Sequence, residues 1–271
     1  MFIFKMEEIM NIPWGRMLIF SACIYLLFVL LAWAYGNKAM FPVPQPSYSE
    51  SENINFITTS SGNKIALTRH GKKQNPRYSI IYSHGNGEDI GRLDSLFNSW
   101  KDKDWEFIAY DYPGYGLSTG NPSEKGCYEA IDTVYQYLTG ELGRSPEKII
   151  IWGRSLGTGP SCYLSAKKEV AGLILETPFL SAFRTLTEFK ILPWDYFNNL
   201  EKAESINCPS LIIHGEWDEV VPFRHGKKLH QSMKKPSKFI EIKKATHNNI
   251  EKIGGEKYRD AVLSFIDNLA S

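Results

Sequence analysis

The pattern of apolar and polar positions divides the chain into three stretches. From Met17 to Tyr35 it reads MLIFSACIYLLFVLLAWAY, nineteen residues without a charge. A helix of that length spans roughly 28 Å, about the thickness of a hydrocarbon core. Trp14 precedes the run and Trp33 and Tyr35 close it, as interfacial aromatics do. The run predicts one transmembrane helix at 17–35, behind an N-terminal segment 1–16. A cleaved signal peptide is the alternative. Ala32-Trp33-Ala34 is a small-x-small site, and Cys23 after Ser21-Ala22 has some likeness to a lipoprotein box. The run is longer than the usual signal core and continues past Cys23, which favours a retained anchor. Lys5 and Arg16 lie before the span and only Lys38 lies close after it, with Glu7 and Glu8 counting for little. The positive-inside rule then predicts a cytoplasmic amino terminus and the rest of the chain on the far side.

The second stretch, 36–51, contains Phe41-Pro42-Val43-Pro44-Gln45-Pro46-Ser47. Alternating prolines favour an extended, stiff spacer. The third stretch starts near Glu52 and runs to Ser271. Ile54 to Thr59 and Lys64 to Arg69 alternate around Ser61-Gly62-Asn63, which predicts a hairpin. Short apolar runs then alternate with helical stretches. The runs are 78–82, 105–110, 148–152, 172–175, 211–213 and 239–242; the helical stretches are 90–101, 123–142, 156–168, 223–234 and 256–269. Near-continuous apolar runs of this length suit strands covered on both faces. The alternation predicts an α/β class, a doubly wound and mostly parallel sheet with an N-terminal hairpin. In such sheets chemistry belongs in the loops at the carboxyl ends of the strands.

Composition narrows the class. The 271 residues are 43% hydrophobic and 23% charged, which excludes wholesale disorder and a polytopic membrane protein. Lys and Arg number 31 and Asp and Glu 30, a net charge of +1, with no basic run that would track nucleic acid. Cys23, Cys127, Cys162 and Cys208 are far apart and form no C-x-x-C pair, which argues against a zinc site or a disulfide framework. No metal or organic cofactor is implied, and the sequence carries no signal of oligomeric state.

The run Ile149-Ile150-Ile151-Trp152 ends in Gly153-Arg154-Ser155-Leu156-Gly157 and a helical stretch follows. This is G-x-S-x-G in the strand–turn–helix context that a nucleophile elbow requires. A serine hydroxyl is a poor nucleophile near pH 7 and needs a base, itself oriented by an acid. In this architecture the acid follows the serine and the histidine comes last. Leu211-Ile212-Ile213-His214-Gly215 runs into Glu216-Trp217-Asp218-Glu219, and 239–242 leads to Ala245-Thr246-His247. Asp218 is therefore the expected acid, with its close neighbours Glu216 and Glu219 and with Glu176 at the preceding strand end as alternatives, and His247 is the expected base. His84 and His214, each before a glycine at a strand end, are expected to be structural. His70, His225 and His230 fall at a hairpin edge or in a helix. The oxyanion hole is expected from the amide of Leu156 and from Asn86 in Ser83-His84-Gly85-Asn86-Gly87.

With these residues in hand, the chain from about residue 54 onwards resembles the α/β-hydrolase superfamily of serine hydrolases. The segments SHGNGEDIG, DYPGYGLSTGNPSE, GRSLGTGP, IHGEWDEVVPFRHG and THNN resemble the group that contains α/β-hydrolase domain-containing proteins 12, 13 and 17. The resemblance implies a triad of Ser155, Asp218 and His247 with oxyanion donors Asn86 and Leu156. It also implies hydrolysis of acyl esters or thioesters: S-acyl proteins, lysophospholipids or monoacylglycerols. The depalmitoylating members carry a cysteine-rich acylated amino terminus. This chain has one cysteine and an apolar span there, more like member 13.

Residues 177–208 lie between two expected strands and form a short cap. They hold Phe179, Phe183, Phe189, Trp194, Tyr196 and Phe197. Aromatics there, Phe179, Phe183 and Trp194 among them, are expected to line an acyl groove or else to pack the cap onto the helices below. The sequence thus predicts a membrane-anchored serine hydrolase for a small-molecule or lipid acyl substrate, with the bilayer as a partner and no nucleic acid. A peptidase with the same triad and a non-catalytic hydrolase-fold binding module are the alternatives.

Overall fold

A computed structural model describes residues 14–187 and 190–270. The N-terminal segment up to Pro13 and Phe189 of the cap lie outside the described residues. The chain divides into two compact units, with the boundary between Pro42 and Val43.

In the first unit, α1 (Trp14–Met40) has 27 residues and none of them is buried. It is long and apolar enough to cross a membrane. It outlasts the uncharged run because Gly36-Asn37-Lys38-Ala39-Met40 stays helical.

The second unit is built on an eight-stranded sheet. Its strands are β1 (Ile54–Thr58), β2 (Lys64–Gly71), β3 (Tyr78–Ser83), β4 (Trp105–Tyr110), β5 (Ile149–Arg154), β6 (Gly172–Glu176), β7 (Ser210–Gly215) and β8 (Ser237–Ile242). They are ordered β1-β2-β4-β3-β5-β6-β7-β8. The hairpin β1–β2 and the β2–β4 pair are antiparallel and all later pairings are parallel. The apolar runs explain this directly. Every residue of β3, β4, β6 and β7 is buried, whereas edge strands β1 and β8 keep exposed positions.

The chain leaves β3 for β4 on one side and returns to β5 on the other. The strand order therefore reverses between β3 and β5. The carboxyl ends of these two strands meet at the switch point where open α/β sheets bind ligands.

The helices are α2 (Asp94–Ser99), α3 (Glu124–Gln136), α4 (Thr158–Lys167), α5 (Asn199–Ala203), α6 (Arg224–Gln231) and α7 (Ile250–Asp267). Several are shorter than the periodicity suggests. The stretch 90–101 is a 3-10 turn at Ile90–Arg92 and then α2, broken at Leu93. The Ser123 side chain caps α3 by accepting from Gly126 N, and the stretch after Gln136 continues as a π turn. Helix α7 begins six residues before the expected Glu256 because Gly255, at φ 48°, interrupts rather than starts it. Tyr258, Val262, Phe265 and Ile266 on α7 are buried in one core cluster with Trp152, Trp100 and Ile242.

The cap is mostly irregular, with one 3-10 turn at Phe183–Thr185 and the short α5. Ser47 and Tyr48, within the stretch read as linker, are bonded into the second unit. Ser47 N donates to Asp89 Oδ2 at 2.6 Å, and the Tyr48 hydroxyl bonds Asp111.

Candidate active site

Three loops converge at the switch point. The first is the turn after β5. Ser155 sits at φ 50°, a left-handed conformation that costs a residue with a side chain on the order of 1–3 kcal/mol. The two glycines of the pentapeptide explain how the turn is held. A Cβ on Gly153 would overlap the Gly157 carbonyl, and one on Gly157 would overlap the Ser83 carbonyl at the end of β3. The turn is therefore closed on itself and pressed against the neighbouring strand. It lifts Ser155 at the start of a 3-10 turn, Ser155–Gly157, that leads into α4.

The second and third loops follow β7 and β8. They are joined by backbone bonds, Trp217 N to Ala245 O at 2.9 Å and Glu216 N to Ile242 O at 3.0 Å. His247 in the third loop faces both partners. Its Nε2 lies 2.9 Å from Ser155 Oγ, and its Nδ1 lies 2.8 Å from Asp218 Oδ2 and 3.0 Å from Oδ1. Ser155, Asp218 and His247 are thus brought together in a relay geometry. Asp218 is held by more than His247. Its Oδ1 accepts from Val220 N at 2.9 Å and Val221 N at 2.7 Å. Burial works to raise the Asp218 carboxyl. The bonds from His214 and His247, the His247 charge and the Val221 amide outweigh it and hold it well below the usual carboxylate range.

Glu176, the alternative acid, serves elsewhere. Its carboxylate accepts from Trp152 Nε1 at 3.0 Å and from the Tyr258 hydroxyl. Burial pushes it up to about 7, partly offset by the Tyr258 bond and the Arg154 charge.

The oxyanion candidates are placed as follows. Leu156 follows Ser155 in the turn and is buried. Asn86 is exposed in the loop after β3, and its Oδ1 accepts from the Tyr115 hydroxyl at 2.7 Å. The close seating of Gly157 on Ser83 brings the start of that loop against the elbow.

The cap aromatics separate into two sets. Phe179 is buried and packs edge-to-face with Phe197, whose ring occupies the space a side chain at Gly159 of α4 would need. These two fasten the cap to the helix behind the elbow. Phe183 and Trp194 are only partly buried, and Phe183 packs on Tyr196 with ring centroids 5.4 Å apart.

Two residues near the site take roles that the sequence reading did not assign to them. Glu219 Oε2 accepts from the His247 backbone amide at 3.2 Å, so this acid holds the loop rather than the ring. His214 is fully buried beside Asp218, with Nε2 3.3 Å from Asp218 Oδ2. Its place four residues before the acid is the only trace in the sequence. Among the described residues no group of three or more His, Cys, Asp or Glu side chains is set to hold a metal ion, and all four cysteines are free.

The chain has known relatives. A family model described as serine aminopeptidase, S33, matches residues 74–194. The α/β-hydrolase domain-containing protein aho-3 of Caenorhabditis elegans is 33% identical over 238 residues, covering 87% of this chain and 71% of the relative. Human α/β-hydrolase domain-containing protein 17B is 36% identical over 215 residues, covering 78% and 74%. Among solved structures, an esterase of Pyrococcus furiosus superposes with a TM-score of 0.70 at 17% identity, over 83% of this chain and 98% of that one. A monoacylglycerol lipase of Paleococcus ferrophilus gives 0.61 at 19%, over 76% and 99%. Identities that low speak for the fold alone. The sequence relatives go further: at this identity and coverage the chain belongs to the α/β-hydrolase superfamily, in the group that holds α/β-hydrolase domain-containing proteins 17B and 17C, and is a hydrolase of the α/β type.

Proposed function

We propose that this chain is a membrane-anchored serine hydrolase that cleaves acyl ester or thioester bonds of lipid-like substrates. The observation that carries the reading is His247, with Nε2 2.9 Å from Ser155 Oγ and Nδ1 2.8 Å from Asp218 Oδ2. With Nδ1–H donating to Asp218, Nε2 is left to accept the serine proton. Ser155 Oγ attacks the acyl carbon, and its proton passes to His247. The carbonyl electron pair moves to oxygen, where the amides of Leu156 and Asn86 receive it. Each such donor contributes about 3 kcal/mol to the transition state. Collapse expels the alcohol or thiol, protonated by His247, and leaves an acyl-serine. Water, deprotonated by His247, then attacks and releases the acid. Asp218 remains ionised throughout, holding the ring tautomer and stabilising the imidazolium.

Helix α1 is the anchor in this reading, with the amino terminus cytoplasmic and the catalytic unit on the far side. Phe183 and Trp194 line an acyl groove. The matching family model is described as a serine aminopeptidase, which favours an amide substrate as the second reading.

The test is a fluorophosphonate probe on the full chain and on Ser155→Ala, followed by a panel of esters, thioesters and aminoacyl amides. Labelling of the wild type and none of the variant is expected, with ester or thioester turnover exceeding amide turnover. Labelling that persists in Ser155→Ala overturns the nucleophile. Amide turnover above ester turnover puts the peptidase first.

A further inference from the structure

Arg154 occupies the variable position before the serine in the elbow pentapeptide, where motif logic asks only for a side chain that fits. Its side chain is 16% exposed and its guanidinium is bonded in two directions. Nη1 pairs with Glu88 Oε1, and Nη2 donates to Asn248 Oδ1 at 2.9 Å. Glu88 turns back on its own loop, with Oε2 accepting from Gly85 N at 2.9 Å. Each contact lies beside a residue of the site. Gly85 adjoins Asn86, Arg154 adjoins Ser155, and Asn248 adjoins His247. One planar fork therefore ties together three loops from β3, β5 and β8. A planar guanidinium can engage two acceptors at fixed angles, which a lysine ammonium cannot reproduce. A cleft of about 320 Å³ lies beside this group, lined by Glu88, Arg92, Arg154, Glu176, Asn248 and Tyr258 among others.

We propose that Arg154 is a positioning residue that clamps the oxyanion loop, the elbow and the histidine loop into one geometry. It touches no reacting atom. It sets the distance between the Asn86 amide, Ser155 Oγ and the His247 ring, on which transition-state stabilisation depends steeply. The inference rests on the reading of Ser155 and His247 as nucleophile and base, and it names how their geometry is kept.

The test uses the full chain in detergent micelles, as wild type, Arg154→Lys, Arg154→Gln, Asn248→Ala and the double variant Arg154→Gln/Glu88→Gln. The double variant leaves no unpaired carboxylate behind and so guards against misfolding. Two readouts are taken: kcat and KM on a short soluble ester, and amide hydrogen exchange at Thr246 and His247. The clamp predicts that Arg154→Gln lowers kcat about tenfold or more with KM within about twofold. It also predicts an intermediate loss for Arg154→Lys and faster exchange at both amides. The double variant should be no slower than Arg154→Gln, because the two partners act through one link. An unchanged kcat, a rise in KM alone, a double variant slower than Arg154→Gln or unchanged exchange each overturn the clamp. Ser155→Ala runs alongside. If it retains turnover, the assignment of the nucleophile has failed, and exchange at the histidine loop still decides the clamp.

Discussion

His214 Nε2 lies 3.0 Å from the Val221 carbonyl and 3.3 Å from Asp218 Oδ2, so one buried imidazole faces both the acid and the turn that follows it. The carbonyl fixes the proton on Nε2, and that N–H points positive charge at Asp218. Together with the Val220 and Val221 amides it confines the carboxylate to the orientation that meets His247. Hydrogen bonds to charged groups are worth about 1.5–3 kcal/mol, and leaving the Val221 carbonyl unpaired adds to the loss. His214→Leu should therefore lower kcat on a soluble ester by about tenfold or more with KM little changed. In an Asp218→Asn background the same substitution should cost almost nothing. Equal losses in both backgrounds would make His214 a packing residue.

Asp218 and Glu176 are two acids, each with a buried carboxylate, whose environments act in opposite directions. Asp218 is lowered, so its stabilising contribution is present above the unfolded carboxylate range and fades as pH falls towards its folded value. Glu176 is raised from 4.5 to about 7 by burial, against the Tyr258 bond and the Arg154 charge. The folded chain therefore keeps this proton while the unfolded chain loses it. Stability from this group falls as pH rises from about 4.5 to about 7. Glu176→Gln should flatten that part of the melting profile and raise the midpoint at pH 8, by at most on the order of 3 kcal/mol in stability. It should leave ester turnover within a few-fold. Asp218→Asn should cost on the order of 10³-fold or more in kcat. Comparable activity losses in the two variants would reopen the choice of acid.

What was legible in the sequence was what local chemistry dictates. The pentapeptide around Ser155 needs a strand before it and a helix after it, and both show as apolar runs and periodicity. Strand ends carry Asp218 and His247 in chain order. Contacts set by the meeting of distant loops left no such trace. His214 reads as a structural histidine because its approach to Asp218 depends on how the loop after β7 folds back. Arg154 has no role legible in the pentapeptide because Glu88 and Asn248 are 66 and 94 residues away. Ser47 and Tyr48 read as spacer beside the prolines, yet Asp89 and Asp111 hold them. Short helices read too long for a different reason. Trp100 carries the apolar pattern of Leu96 and Phe97 past the end of α2, and the pattern reports burial rather than backbone.

The elbow glycines make a sharp prediction. A Cβ at Gly157 meets the backbone carbonyls of Ser83 and His84, which cannot swing aside as a side chain could. Gly157→Ala should cost about 3 kcal/mol or more of stability, read as a lower thermal midpoint, and abolish fluorophosphonate labelling. Gly140 serves as the control: a methyl group there would meet nothing within 4 Å, so alanine should be accepted without loss. A Gly157→Ala chain that labels like wild type would mean the elbow is looser than its contacts imply.

The span of α1 predicts behaviour in membranes. Its 27 residues extend roughly 40 Å, enough to cross a bilayer with some tilt. The full chain should resist alkaline carbonate extraction and keep its amino terminus. Release by carbonate, or a mature terminus near Tyr35, would indicate a cleaved signal. Protease added to sealed vesicles should spare or digest the catalytic unit according to its side. The excess of basic residues before the span predicts the side opposite the amino terminus.

The proposed acyl groove places substrate choice in the cap. Phe179 and Phe197 are committed to packing, whereas Phe183 and Trp194 are half-buried and are the residues proposed for an acyl chain. Each methylene buried on them is worth roughly 0.8 kcal/mol, so four more buried carbons would favour the transition state by about 3 kcal/mol. That gain reaches kcat/KM only if the contacts persist in the transition state. Replacing both residues by alanine should then erase a preference for long acyl chains while sparing acetates, because neither lies in a triad loop. Phe179→Ala should behave differently. It removes the ring that packs on Phe197, which seats the cap on α4, so it should lower stability and slow every chain length alike. The measurement is kcat/KM across a series of acyl lengths, below the critical micelle concentration, for wild type and the variants. A wild type indifferent to chain length removes the groove. A uniform drop in the Phe183→Ala/Trp194→Ala chain would show that these rings, like Phe179, only hold the cap in place.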